Sequence, residues 1–191
     1  APPPRQAVDL AELLDILAQR LRLVARDRNL HLELELPGQL LALGDATQLE
    51  HVFINLLDNA AKYAPDGATI TVRAAYAPGP SVAVSVHNTG SAIAPDDLPH
   101  IFERFYRADR SRSREAGGSG LGLAIAREIV ERHGGTIEAR SDAASGTTFS
   151  VTLPAAPQPA GAARATAAPR PRGAPASPPA VVARDQHSPV A

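Results

Sequence analysis

The sequence predicts an α+β fold, a two-layer sandwich in which helices cover one face of a mixed, mostly antiparallel sheet. Three stretches repeat apolar residues at helical spacing, and six shorter stretches alternate apolar and polar residues as half-buried strands do. These stretches follow one another without the regular βαβ alternation of a parallel sheet. A chain of 191 residues has room for one such domain with extra segments.

Two of the three helices begin at capping residues. The helices are predicted over residues 10–26, 46–64 and 122–133. Asp9 with Glu12, and Asp45 with Gln48, have the spacing of a capping box just before an apolar stripe. The third helix follows a glycine-rich loop and ends at two further glycines. His133, on its apolar face, is predicted to be a packing or capping residue.

The strands are predicted from period-two alternation and from the turn residues between them. They cover residues 31–36, 40–43, 69–76, 81–87, 136–140 and 147–153. Between the fourth and fifth strands, residues 96–105 mix a short helical pattern with aromatic side chains, and residues 107–119 are polar and charged. We expect this second segment to be mobile.

Composition limits the class of protein. The sequence has no cysteine, which excludes disulfides, cysteine-ligated zinc and a cysteine nucleophile. No apolar run is long enough to span a bilayer and nothing at the N-terminus resembles a signal peptide, so we expect a cytoplasmic segment without membrane contact. Residues 155–191 hold four basic residues and one acid, which leaves 15 basic and 19 acidic residues elsewhere, a net charge of −4. This acidic balance argues against nucleic acid as the main partner.

The two ends of the chain differ from its body. Residues 155–191 consist largely of Ala, Pro and Arg, with too few large apolar side chains to offset the entropy of ordering, so we expect a disordered tail. The chain opens on APPPR rather than on Met, and we expect residues 1–7 to be a linker from a preceding domain. The folded domain is therefore predicted over residues 8–154.

A polar row on the second helix is the first candidate for function. Asn55, Asn59 and Lys62 stand at i, i+4 and i+7, beside the apolar stripe rather than opposite it. Asn is a poor helix former because its side chain competes for backbone hydrogen bonds, so two of them at successive turns suggest a role in lining a cavity. A solvated face with two incidental Asn residues is the alternative from this helix alone.

A glycine-rich loop before the third helix is the second candidate. Gly118, Gly120 and Gly122 alternate in GSGLGL, and such a loop lets backbone N–H groups and a helix N-terminus approach phosphate oxygens. No lysine follows a glycine as in the Walker loop, and Leu123 stands where the third glycine of the dinucleotide motif would be. Two interpretations of the loop remain: an anion-binding site of another kind, or a flexible loop before the helix.

Four motifs in this order resemble the N, G1, F and G2 boxes of the ATP-binding catalytic domain of sensor histidine kinases. They are the Asn-bearing helix, VHNTG at residues 86–90, FERFYR at 102–107 and GSGLGL at 118–123. The resemblance covers about residues 8–154 and implies the Bergerat fold, which DNA gyrase, mismatch-repair ATPases and heat-shock chaperones share. It implies a nucleotide pocket between the sheet and the helices, with residues 107–119 as a mobile lid.

The resemblance also implies roles for particular residues. Asn59 would hold a Mg²⁺ ion that bridges the phosphates, Lys62 would neutralise phosphate charge and Tyr63 would contact the adenine. Asn55, Lys62 and Arg107 are the catalytic candidates, with Asn55 on the phosphate side and Arg107 at the transferring phosphoryl group. The candidate residues for binding ATP and Mg²⁺ are Asn55, Asn59, Lys62, Tyr63, Asn88, Gly90, Ile93, Phe105, Tyr106, Arg107, Gly118, Gly120, Leu121, Gly122, Leu123 and Thr147.

The chain departs from the G1-box pattern of this family at two positions. Asn88 replaces the Asp that usually begins the G1 box and reads the adenine amino group, and Ala92 replaces the second glycine of that box. Asn88 can still accept the hydrogen bond through its carbonyl, but without charge assistance, so weaker affinity or purine selectivity is expected. Asn55 stands where related ATPases carry a water-activating Glu, and an amide cannot act as a general base. We therefore expect slow hydrolysis and transfer of the phosphoryl group to another domain.

The phosphoacceptor is not expected in this chain. None of its six histidines lies in a context like HExRTP. The resemblance therefore implies two partners, a dimerisation and histidine-phosphotransfer domain and the receiver domain of a response regulator. Two alternatives stay open: a serine kinase of the anti-sigma-factor type, and a nucleotide-binding regulatory module that transfers no phosphate.

Overall fold

The computed structural model describes residues 5–107 and 119–157. Its helices are α1 (Leu10–Arg26), α2 (Ala46–Tyr63) and α3 (Gly122–Arg132), with a short 3₁₀ turn at Leu98–His100. Its strands are β1 (Gln6–Asp9), β2 (His31–Glu35), β3 (Leu41–Gly44), β4 (Thr69–Ala77), β5 (Ser81–Asn88), β6 (Thr136–Asp142) and β7 (Gly146–Pro154). The predicted helices and strands are confirmed to within two residues at each end.

Five strands form the main sheet in the order β2-β4-β5-β7-β6, and β1 pairs with β3 in a small separate sheet. β2 and β4 run parallel, whereas the other neighbouring strands of the main sheet are antiparallel. Along β5, Val82, Val84 and Val86 are buried while the residues between them are half-buried, so one face of the sheet carries the core. The buried stripes of α1 and α2 belong to the same core, which confirms the predicted α+β sandwich.

Both ends of the folded domain reach further than the sequence indicated. Strand β1 begins at Gln6, where the linker was expected to continue, and it pairs with β3. Only Val8 of its four residues is buried, which is too little alternation to predict a strand. At the other end the Ala156 N–H donates to the Leu41 carbonyl at 2.9 Å, so the domain continues past the predicted boundary at 154. Residues 158–191, most of the predicted tail, lie outside the described residues.

The start of α2 is held by a side chain from the end of α3. The Asp45 carboxylate accepts a hydrogen bond from the Gln48 N–H at 2.9 Å, as the capping pattern predicts. The Asp45 N–H, however, donates to Nε2 of His133 at 3.1 Å, although the Gln48 side chain was expected as its partner. Nδ1 of His133 lies 2.7 Å from the Ile129 carbonyl, so a neutral ring protonated on Nδ1 satisfies both neighbours. His133 is fully buried, which confirms the prediction that it packs and caps.

Replacing His133 by alanine should lower the free energy of unfolding by about 2–4 kcal/mol, because it leaves a cavity and deprives the Asp45 N–H of its acceptor. Urea unfolding followed by circular dichroism measures this loss. His51→Ala is the matched control, since His51 is an exposed histidine on α2, and its effect should stay within about 0.5 kcal/mol. Equal losses in the two variants would contradict the bridging role of His133.

Candidate nucleotide-binding site

The polar row of α2 lies against the beginning of α3. Asn55, Asn59 and Lys62 are half-buried, at the border of the fully buried stripe to which Leu56 belongs. A Cβ atom at Gly122 would lie 3.0 Å from Oδ1 of Asn55, so the first residue of α3 packs directly on this side chain. The structure therefore brings two of the four motifs together, and Asn55 is not on a solvated face.

The glycine loop also contacts the FERFYR motif. The Phe105 N–H donates to the Gly120 carbonyl at 2.9 Å. Gly120 has a φ of +68°, and a Cβ there would lie 3.0 Å from the backbone of Phe105 and from the Tyr106 carbonyl oxygen. Both the backbone conformation and the close contact thus require glycine at this position. Gly118, the first glycine of the motif, lies outside the described residues.

The N-terminus of α3 lacks a capping side chain among the described residues. Leu121 occupies its capping position and provides no side-chain hydrogen bond to the first N–H groups, as far as the described residues show. Such N–H groups, together with the helix dipole, favour an anion. Leu123, the second residue of α3, is half-buried and packs on the core, so it anchors the helix rather than facing the solvent.

Asn88 ends β5 and is buried, with 2% of its surface exposed. Its Nδ2 atom has no hydrogen-bond partner within the described part of the chain. A buried amide without a partner is costly, and native proteins contain few of them. An acceptor on a ligand would relieve this cost. The sequence resemblance had placed the nucleotide base at this residue.

The loop after Asn88 is hydrogen-bonded to the start of β4 and packs on the turn that follows α2. The Thr89 N–H donates to the Thr69 carbonyl at 3.0 Å, and the Thr89 hydroxyl accepts from the Thr69 N–H at 3.0 Å. Gly90 has a φ of +76°, and a Cβ there would lie 2.7 Å from Cγ of Pro65. Glycine at this position lets the loop approach the turn that follows Tyr63.

Thr147 supports this loop from the neighbouring strand. Its buried hydroxyl donates to the Ser91 carbonyl at 2.8 Å and lies 2.8 Å from the hydroxyl oxygen of Ser141. Ser141 in turn accepts a hydrogen bond from the Ile93 N–H at 2.8 Å. Sequence reasoning named Thr147 and Ile93 but missed Ser141. Ser141 could have been found as the hydroxyl partner of Thr147 across the β6–β7 hairpin, but recognising this pair requires the strand register to be known.

The aromatic candidates differ in their surroundings. Tyr63 is 46% exposed, and Nζ of Lys62 lies 5.2 Å from the centroid of its ring. Phe105 is 71% exposed and has a φ of +64°, an unusual conformation for a bulky residue. The Tyr106 hydroxyl donates to Asp97 at 2.6 Å, and this hydrogen bond to a carboxylate raises the pKa of Tyr106. Arg107 is half-buried at the edge of the described segment.

The donor set at the site suits one class of metal ion. Within the described residues, His, Cys, Asp and Glu side chains form no cluster of three or more that could bind a metal. An amide oxygen such as that of Asn59, completed by phosphate oxygens and water, is a set that Mg²⁺ accepts.

None of the described helices combines the length and apolar character needed to cross a membrane.

The sequence and the fold match those of a known family. The family described as histidine kinase-, DNA gyrase B-, and HSP90-like ATPases matches residues 44–157. The chain belongs to this family of ATP-binding domains, as the four motifs predicted.

Its relatives include sensor histidine kinases. The sensor-like histidine kinase SenX3 of Mycobacterium tuberculosis is 36% identical over 148 residues, which make up 78% of this chain and 36% of that protein. The sensor histidine kinase CusS of Escherichia coli is 41% identical over 153 residues, 80% of this chain and 31% of that protein. The solved structure of the mycobacterial sensor histidine kinase MprB gives a TM-score of 0.68 at 30% identity, covering 81% of this chain and 99% of that one. The chain spans about a third of the length of the two curated relatives.

Proposed function

We propose that this domain binds Mg·ATP in the space framed by α2, the loop after β5 and the start of α3, and transfers the γ-phosphoryl group to a histidine of a separate dimerisation domain. The relatives named as sensor histidine kinases support this acceptor. The observation that carries the nucleotide site is the buried Nδ2 atom of Asn88, which lacks a partner among the described residues. A purine base offers acceptors and donors on its edges that can pair with an amide.

The polar row of α2 supplies the phosphate end of the site. Asn59 would hold Mg²⁺ through its amide oxygen, where the ion would supply positive charge to neutralise the phosphates. Lys62 adds a positive charge about one turn further along the helix. Asn55, which packs on Gly122, has no basicity with which to activate water, so ATP is kept for an incoming nucleophile. Arg107 would stabilise charge on the transferring group.

The acceptor and the next step lie on other domains. A histidine nitrogen of the dimerisation domain attacks the γ-phosphorus, the bond to the β,γ-bridging oxygen breaks, and ADP leaves. The receiver domain of a response regulator would then take the phosphoryl group from the phosphohistidine. These two partners complete the proposed two-component function.

Calorimetric titration with Mg·ATP tests the nucleotide site. We expect a dissociation constant in the micromolar to millimolar range, about −8 to −4 kcal/mol, and loss of binding in Asn59→Ala or without Mg²⁺. Gln19→Ala is the control, since Gln19 is an exposed amide on α1 that donates to Asp15; this variant should bind as the wild type does. Failure of the wild-type domain to bind Mg·ATP would refute the proposal.

Mixing the domain with a dimerisation domain that carries a phosphoacceptor histidine tests the transfer. We expect an acid-labile phosphoprotein, because a phosphohistidine hydrolyses in acid. An acid-stable phosphoserine on a partner would instead identify a serine kinase. Normal binding with no transfer to any cognate acceptor would identify a regulatory module.

A further inference from the structure

Arg28, in the loop between α1 and β2, reaches the C-terminal end of α2. Its Nη1 and Nη2 atoms donate to the carbonyl oxygens of Ala61 and Ala64, each at 2.6 Å. Its Nε atom donates to Oδ1 of Asp66 at 3.1 Å, and its carbonyl accepts a hydrogen bond from the Gly67 N–H. One side chain thus engages the last turn of α2 and the turn that follows.

The end of α1 directs this side chain. The N–H of Leu30 donates to the Ala25 carbonyl at 3.0 Å, and Asn29 takes a φ of +51°, a pattern that closes a helix with a left-handed residue. The next residue, His31, donates its N–H to the Ala68 carbonyl at 2.9 Å as β2 pairs with β4. Arg28 is therefore held between a closed helix end and a paired strand.

The contacts of Arg28 act on the part of α2 that carries two site residues. The last carbonyls of a helix have no partner within it, and a guanidinium can satisfy two of them at once. Ala61 and Ala64 flank Lys62 and Tyr63 in the sequence, so the hydrogen bonds of Arg28 fix the backbone from which both side chains project.

The same contacts extend to the loop that follows Asn88, the residue proposed to read the base. Asp66 and Ala64, both bonded to Arg28, enclose Pro65 in the sequence. The Gly90 backbone packs so closely on Pro65 that a Cβ at Gly90 would lie 2.7 Å from its Cγ. Gly90 is two residues after Asn88. A displacement of the turn at Pro65 would therefore move this loop.

We infer that Arg28 is a positioning residue for the nucleotide site, setting the Lys62–Tyr63 end of α2 and the Gly90 loop through Pro65. This inference rests on the proposed function. Lysine at this position keeps the charge but cannot bond two carbonyls and a carboxylate with the same planar geometry.

Arg28→Ala should weaken Mg·ATP binding about tenfold, within the range found for residues that act through a packed network. Arg28→Lys should fall between this variant and the wild type. In transfer to a cognate dimerisation domain, KM for ATP should rise while kcat changes less than about twofold, because the reacting end of the site keeps its residues. Arg20→Ala is the matched control, since Arg20 is an exposed helix arginine paired with Glu50 at 3.2 Å.

Titrations are made at a temperature at which circular dichroism shows every variant to be folded. Amide hydrogen exchange at Thr89 and Gly90 provides the second readout, and it should accelerate in Arg28→Ala but not in Arg20→Ala. Wild-type affinity and exchange in Arg28→Ala, with only a lower melting temperature, would overturn the positioning role. Absence of binding by the wild type would refute the proposed function instead, and the exchange comparison would still test the coupling.

Discussion

Replacing Gly146 by alanine should destabilise the domain by more than about 3 kcal/mol and abolish nucleotide binding. A Cβ at this position would lie 2.1 Å from the Asn88 carbonyl oxygen and 3.0 Å from the Thr89 Cα. Both are backbone atoms at the end of a central strand, so neither can move without breaking the pairing of β5 with β7. Gly146 also has a φ of +100°, which an L side chain rarely adopts.

A second glycine separates the steric effect from the backbone effect. Gly79 also has a positive φ, +77°, but a Cβ there meets nothing within 4 Å in the described structure. Gly79→Ala should therefore cost only about 1–2 kcal/mol of backbone strain and leave Mg·ATP binding unchanged. Urea unfolding and calorimetry on both variants make the comparison. Similar losses at the two positions would show that contact with Asn88 is not what Gly146 provides.

Asn88→Asp should make the stability of the ligand-free domain depend on pH. Burial would raise the pKa of the new carboxyl above its unfolded value of about 3.9. The folded variant then binds more protons than the unfolded chain between these two pKa values. Its stability relative to the wild type should therefore fall as the pH rises through that window, reaching a deficit of about 2–4 kcal/mol at neutral pH. A constant difference from pH 4 to 8 would contradict the burial of this side chain.

The same variant should increase the selectivity of the proposed site for adenine over guanine. A carboxylate can only accept a hydrogen bond, and the adenine amino group donates one, whereas guanine presents an acceptor oxygen there. The wild-type amide can serve either base, because it both donates and accepts. The preference for ATP over GTP should thus rise by about tenfold in Asn88→Asp, as a charge-assisted hydrogen bond replaces a neutral one. Asn88→Ala, which removes both groups, should weaken both nucleotides and leave their ratio unchanged. The same ratio in Asn88→Asp and the wild type would show that residue 88 does not read the base.

The sequence predicted the features that depend on neighbouring residues. The bounds of α1 agree because Asp9 caps it through the Ala11 N–H at 3.0 Å, a local contact. The same carboxylate also accepts from the Leu40 N–H at 3.1 Å. That contact spans 31 positions and leaves no pattern in the sequence. Likewise β1 is a strand because β3 lies beside it, and its own residues would not reveal this.

The residues of the candidate site also fall into two groups, those that the sequence indicated and those that only the structure shows. The resemblance identified Asn88 and Gly90, and the structure supplies what no motif contains: the burial of Asn88 and the contact of Gly90 with Pro65. Ser141 and Arg28 could not be found, because their partners lie in distant segments joined only when the sheet and helices pack. The motifs indicate candidate ligand-binding residues, whereas the residues that position them are found only in the tertiary structure.

Strand β7 is the last strand of the described residues, yet it lies between β5 and β6 in the sheet. A polypeptide leaves the ribosome from its N-terminus, so β5 remains an unprotected edge strand until the segment through Pro154 has emerged. Asn88 stands at the end of that edge, and Gly146 and Thr147, which contact it and its loop, arrive with β7. The proposed nucleotide site is therefore complete only once β7 has paired with β5, and until then the free edge of β5 can pair with other chains.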